Sequence, residues 1–162
     1  SLSTFANAET SVSTQLKDRL QNAPEISAKS AVLYEATTGT ILYEKNSSEA
    51  LPPASVTKIM SILLIMESLD TKKISLEDPI PCSENASAMG GSQIWLDPRE
   101  TLTVDEMLKA ICVASANDCV VAMAEFIGGS LDEFVNMMNN KVLELDLTDT
   151  HFVNVHGYGS TV

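Results

Sequence analysis

Ser55-Val56-Thr57-Lys58 stands at the head of an apolar run, Ile59, Met60, Ile62, Leu63, Leu64, Ile65, Met66 and Leu69, and directly behind Pro52 and Pro53. Proline breaks a helix interior but is tolerated before and at the first turn, so the spacing predicts a helix over residues 55–69. Residues three apart share a helix face. The Ser55 hydroxyl and the Lys58 amine therefore point into one space at a helix N-terminus, where backbone N–H groups are free and the dipole is positive. A serine there becomes a nucleophile if a neighbour takes its proton, and an amine can do so when burial lowers its pKa. The four residues alone are a weak signal, because S-x-x-K arises about once by chance in a chain this long. A serine cap with a lysine on a solvated first turn is the plain alternative. Against it, the run is apolar nearly all round, the pattern of a helix buried inside a domain, and a lysine at the start of such a helix needs a reason.

Outward from this stretch, the 162 residues suit one domain, and 44% apolar residues suffice for a core. Ten basic against 22 acidic residues, a net charge of −12, argue against a nucleic-acid partner. No stretch approaches the ~20 apolar residues of a membrane-spanning helix. Ala6-Asn7-Ala8 has the form of a signal-peptidase site without the region that should precede it, so it is either the remnant of an export signal or chance. Cys82, Cys112 and Cys119 match no metal spacing and are odd in number, which predicts buried free thiols; no cofactor or metal is expected.

Residues 1–9 read as a tail, and 10–22 as a weak amphipathic helix ending before Pro24. A hairpin is predicted from strands at 30–36 and 40–45 around the turn Thr37-Thr38-Gly39. Pro79 and Pro81 mark an irregular or edge-strand passage, and Gly90-Gly91-Ser92 a flexible turn. Thr103-Val104-Asp105-Glu106 has the form of a capping box opening a helix, which is interrupted at Ser115-Ala116-Asn117-Asp118 before a second helix over about 118–127. A third helix starts after Ser130 and reaches about Leu145, and Phe152-Val153-Asn154 reads as a short extended stretch before a turn at His156-Gly157. A polar turn between two apolar helices needs partners for its side chains. Ser115 and Asn117 either face the same cleft as Ser55 or form an ordinary helix cap. A second S-x-N, Ser83-Glu84-Asn85, lies in the proline-rich passage and has the poorer setting.

Pro53-Ala54-Ser55-Val56-Thr57-Lys58-Ile59-Met60 and Ser115-Ala116-Asn117-Asp118, 60 residues from serine to serine, together resemble the low-molecular-mass penicillin-binding proteins, the serine D-alanyl-D-alanine carboxypeptidases. Ser92-Gln93-Ile94-Trp95-Leu96 with Pro98 and Glu100, and Phe152-Val153-Asn154 with His156-Gly157, are similar to two further stretches of that family. S-x-x-K, a second serine motif and K-T-G form a known signature of this enzyme class. The resemblance covers roughly residues 25–157. It implies an α/β (α+β) fold of the DD-peptidase/β-lactamase type, a helical cluster beside an antiparallel sheet.

The resemblance also implies roles. Ser55 would attack the carbonyl between two D-alanines, or a β-lactam ring. Neutral Lys58 would accept its proton, Ser115 would relay a proton to the leaving amine, Asn117 would hold the substrate amide, and the Ser55 N–H would give one oxyanion donor. The implied protein is a penicillin-binding serine hydrolase of cell-wall biogenesis and cell shape, secreted or attached to the outer face of the bacterial cytoplasmic membrane. Its partners would be peptidoglycan peptides ending in D-Ala-D-Ala, with β-lactams as inhibitors. The alternatives are a β-lactamase of the same fold and a non-catalytic peptidoglycan-binding piece. His151 and His156 are expected to be structural. Arg99 stands where the family often has glycine, and Val155 where it often has proline. No lysine here is followed by Thr-Gly or Ser-Gly. Residues 1–24 are therefore expected to be a tail with a weak helix, and 25–162 a transpeptidase-like domain truncated before the Lys-Thr-Gly strand. Its sheet would be unfinished, to be completed by a further C-terminal segment or a partner chain. On that view these 162 residues alone have little or no carboxypeptidase activity.

Overall fold

A computed structural model describes residues 25–159. The expected tail and weak helix lie outside the described residues. The chain forms two compact units that part between Ala50 and Leu51.

The first unit is a hairpin. Strands β1 (Ala31–Glu35) and β2 (Thr40–Lys45) pair antiparallel, with Ala31 opposite Lys45, Glu35 opposite Thr40, and a bulge between Leu33 and Tyr34. Gly39, at φ 70°, closes the turn in the left-handed region that glycine enters without penalty. The Glu35 carboxylate accepts the N–H groups of Thr37 and Thr38 and the Thr38 hydroxyl, at 2.6–2.8 Å. These bonds favour its charged form and hold its pKa down to about 2.

The second unit is helical. A tight 3₁₀ turn, Ala54–Thr57, leads into α1 (Lys58–Asp70). The predicted helix is thus two segments, the serine lying in the turn and the lysine opening the α-helix. Strands β3 (Pro79–Pro81) and β4 (Thr101–Thr103) form a small antiparallel pair, the edge setting in which prolines are tolerated. Between them lies a single-turn helix, α2 (Glu84–Ser87). Helix α3 (Val104–Ala114) opens on the predicted capping box: Thr103 and Glu106 each bond the other's backbone N–H. Helices α4 (Asn117–Gly128) and α5 (Leu131–Glu144) follow, α5 capped by the Ser130 hydroxyl. Helix α4 is the centre of the unit, its residues 117–124 all buried. Around it pack Met107 and Ile111 of α3, Phe134 and Met138 of α5, and Leu64 and Ile65 of α1. Each fully buried side chain of this kind contributes roughly 1.5–3 kcal/mol.

Two expectations are corrected here. Helix α1 is not buried all round: Met60, Ser61, Leu64, Ile65 and Ser68 face the core, while Ile59, Leu63 and Met66, with Val56 before them, form an exposed stripe. An apolar pattern on both faces cannot say which face is covered. Cys82 and Cys119 are buried but Cys112 is exposed, because it lies on the solvent side of α3. At the stretch 152–154 the Asn139 side chain holds the backbone, accepting the Phe152 N–H at 2.9 Å and donating to its carbonyl at 2.8 Å.

Candidate active site

Ser55 owes its position to the turn before α1. Ala54 sits at φ 48°, left-handed for a residue with a Cβ, and the Val56 N–H reaches back to the Pro53 carbonyl at 3.1 Å. A non-glycine residue in this region costs about 1–3 kcal/mol and persists only where its surroundings enforce it. Gly157 is part of that enforcement. At φ 74°, it lies so close that a Cβ there would stand 1.9 Å from the Ala54 carbonyl oxygen and 2.6 Å from the Thr57 hydroxyl.

Lys58 is only 3% exposed. Its Nζ lies 3.1 Å from Ser55 Oγ, 3.2 Å from Ser115 Oγ and 3.3 Å from the His156 carbonyl oxygen. Among the described residues no carboxylate comes within ion-pair distance of it. Burial without a counter-charge disfavours the ammonium form, so its pKa falls below the ordinary lysine range. A neutral amine has two hydrogens and one lone pair. The His156 carbonyl can only accept, so one hydrogen goes there, and the other hydrogen and the lone pair serve the two serine hydroxyls. This is an arrangement in which one hydroxyl can give its proton to nitrogen while the other receives one.

Ser115 caps α3 in the left-handed conformation, φ 54° and ψ 38°. That twist interrupts the two helices and brings its hydroxyl to Lys58 across 57 residues of sequence. Asn117, the first residue of α4, is 2% exposed. Its N–H donates to the Ser92 carbonyl at 2.7 Å and its Nδ2 to the Gly90 carbonyl at 2.7 Å. Its Oδ1 is buried and has no partner among the described residues. The sequence-derived set of Ser55, Lys58, Ser115 and Asn117 is thus grouped around Lys58 and the start of α4. The second S-x-N is elsewhere: Ser83 caps α2 through the Ala86 N–H, and both Ser83 and Asn85 donate to the Glu125 carboxylate.

His156 meets Lys58 through its backbone carbonyl, and its ring Nδ1 accepts the Tyr158 N–H at 2.9 Å. Burial first, and then the nearby Lys58, push its pKa below the usual histidine value, which keeps the ring an acceptor. Val155 is buried, and its carbonyl accepts the Ser61 hydroxyl of α1 at 2.6 Å. Arg99, the other departure noted in the sequence, pairs with Asp97 in an exposed loop.

Sequence reasoning missed how Gly90-Gly91-Ser92 behaves. It packs closely against the site: at Gly91 (φ 76°) a Cβ would meet Asn117 Nδ2 at 2.8 Å and the Tyr158 ring at 3.0 Å. Adjacent glycines are equally compatible with slack and with close packing, so nothing in the sequence distinguished the two. Gly157, expected with His156 as a turn, is likewise a support of the site, and so is Tyr158, which no sequence signal marks.

Residues 17–161 match the family described as D-alanyl-D-alanine carboxypeptidase, peptidase S11. The chain is 60% identical over 130 residues to the D-alanyl-D-alanine carboxypeptidase DacF of Bacillus subtilis, which covers 80% of this chain and 33% of that protein. It is 33% identical over 159 residues to DacA of Escherichia coli K12, covering 94% of this chain and 40% of the relative. It therefore spans about a third of the length of such relatives. Among solved structures, the carboxypeptidase DacD of Francisella tularensis superposes with a TM-score of 0.81 at 32% identity, over 86% of this chain and 34% of the other. Penicillin binding protein 5 of Haemophilus influenzae does so with a TM-score of 0.81 at 32% identity, over 85% and 41%. These likenesses bear out the expected fold.

Proposed function

The chain belongs to the D-alanyl-D-alanine carboxypeptidase family, peptidase S11, and from that premise we propose that it carries the nucleophile part of a penicillin-binding serine carboxypeptidase. The observation behind this reading is the buried Lys58 amine, with no carboxylate beside it among the described residues and within 3.1–3.2 Å of both Ser55 Oγ and Ser115 Oγ. Family membership favours it over a β-lactamase or a non-catalytic piece.

In the proposed reaction neutral Lys58 accepts the Ser55 proton as Oγ attacks the carbonyl carbon of the D-Ala-D-Ala peptide bond. The carbonyl electrons move to oxygen, where the Ser55 N–H is one stabilising donor. As the tetrahedral species collapses, the C–N bond breaks and the departing nitrogen receives a proton from the Ser115 hydroxyl, which Lys58 replenishes. Free D-alanine leaves and an ester on Ser55 remains, which water hydrolyses. A β-lactam follows the first half of this course, but its leaving nitrogen stays tethered to the acyl group. Asn117 Oδ1, buried and without a partner among the described residues, would accept an N–H of the substrate backbone. The substrates would be peptidoglycan stem peptides, and the place of action outside the cytoplasmic membrane, in cell-wall biogenesis and the control of cell shape. No described helix is long and apolar enough to cross a membrane.

Release of D-alanine from a peptide ending in D-Ala-D-Ala tests the reading. The whole natural chain bearing these residues should release it, and its Ser55→Ala variant should not. Equal release by both would overturn the assignment.

A further inference from the structure

We infer that Asp118 is a positioning residue of this site, acting on Asn117 through the segment Gly90–Leu96; the inference rests on the function proposed above. Asp118 is wholly buried, and among the described residues no cationic side chain pairs with it. A carboxylate so placed is costly unless donors surround it. Here they are backbone groups. Ile94 N–H lies 3.2 and 3.3 Å from its two oxygens, Leu96 N–H 3.0 Å from Oδ2, and Cys119 N–H 2.9 Å from Oδ1. Asp118 sits in the first turn of α4, where the helix dipole adds to the attraction.

The Ile94 and Leu96 donors flank Trp95, which is held at φ 65° and is 78% exposed. A bulky residue seldom adopts that backbone. The side chain buries little to repay it, so the grip of Asp118 on both neighbours is what the structure offers as the cause. The other end of the same segment reaches Asn117: the Ser92 carbonyl takes its N–H and the Gly90 carbonyl its Nδ2, each at 2.7 Å. Between these two bonds Gly91 leaves no slack, with a Cβ position 2.8 Å from Nδ2. The segment is therefore pinned by Asp118 at one end and seated on Asn117 at the other. Because a carbonyl only accepts, the Gly90 bond fixes which way the Asn117 amide faces. Oδ1 is left buried and open to accept from a substrate. Without Asp118 the Ile94 and Leu96 donors lose their acceptor, the segment relaxes, and the amide loses the contact that orients it.

The test is acylation by benzylpenicillin in the whole natural chain, resolved into binding constant and maximal rate across pH. The variants are Asp118→Asn, Asn117→Ala and the double variant. Asp118→Asn keeps the shape but sets an amide N–H₂ against backbone donors. It is expected to lower the second-order acylation constant by about tenfold or more. The pH at which acylation rises should stay that of the wild type, since Lys58 is untouched. In the Asn117→Ala background the same change should cost less than about twofold, because the residue it acts through is gone. Equal losses in both backgrounds, a displaced pH profile, or no loss at all would overturn the inference. Should Asp118→Asn fail to fold, Gly91→Ala disturbs the same segment without touching Asp118. It should show the same dependence on Asn117, and a loss undiminished in Asn117→Ala would count against the inference. A wild-type chain that is not acylated refutes the underlying reading, whereas an acylated wild type with an unaffected Asp118→Asn refutes only this inference.

Discussion

A buried amine with no counter-charge loses more by being protonated than a surface lysine does, and among the described residues Lys58 is in that position. If it is the base, acylation requires its neutral form. The acylation rate should therefore rise with pH through a midpoint below the ordinary lysine value and level off above it. Lys58→Arg keeps a charge that cannot be given up at any working pH, so its acylation should fall by about 10²–10⁴-fold. Stopped-flow acylation by a penicillin across pH measures both, and a flat wild-type profile or an active Arg variant would count against Lys58. Linkage gives a second sign. The unfolded chain holds the Lys58 proton more tightly than the folded one, so stability should rise with pH between the two values. Ser115 offers a sharper separation of roles. Its left-handed backbone, φ 54°, is a cost that glycine does not bear. Ser115→Gly should leave thermal stability unchanged or raise it by up to about 1 kcal/mol while acylation collapses. Loss of both together would mean that the hydroxyl serves packing.

At the scale of elements, the 3₁₀ turn that carries Ser55 and the loop from Asn154 to Tyr158 hold each other. The Asn154 side chain gathers the N–H groups of His156 and Gly157, the Val155 carbonyl is fixed to Ser61 of α1, and Gly157 then lies against Ala54. Gly157→Ala places a methyl group inside the Ala54 carbonyl and imposes φ 74° on a residue that avoids it. It should destabilise by about 1–3 kcal/mol and slow acylation by about tenfold or more, because the serine turn must move to make room. Thermal melts and acylation rates check this; a variant as stable and as fast as wild type would show that the turn is held otherwise. The elements themselves were largely legible from the sequence: the hairpin from its alternation and Thr37-Thr38-Gly39, α3 from its capping box, and the break between α3 and α4 from four polar residues between apolar runs. The supports of the site were not. A glycine at a close approach reads like a glycine in a loose turn, and Asp118 looked like a helix-starting residue because its partners, Ile94 and Leu96, are more than 20 positions away. Nor could an all-round apolar helix reveal that Ile59, Leu63 and Met66 would lie exposed.

Across the whole molecule, the candidate site is assembled from four stretches, around residues 55, 92, 117 and 156, that meet only once the helical unit is folded. Each alone is a weak signal. Their agreement in order carried the resemblance, and their convergence on one buried amine gives it a chemical meaning. The roles assigned here to Ser55, Lys58 and Ser115 all depend on Ser55 being the atom that becomes acylated, and one measurement reaches that point directly. The whole natural chain and its Ser55→Ala variant are treated with benzylpenicillin, digested and mapped by mass spectrometry. The expected result is a single penicilloyl adduct on the peptide containing Ser55, absent from the variant. An adduct on another residue of the wild type, or one that survives in Ser55→Ala, would contradict it.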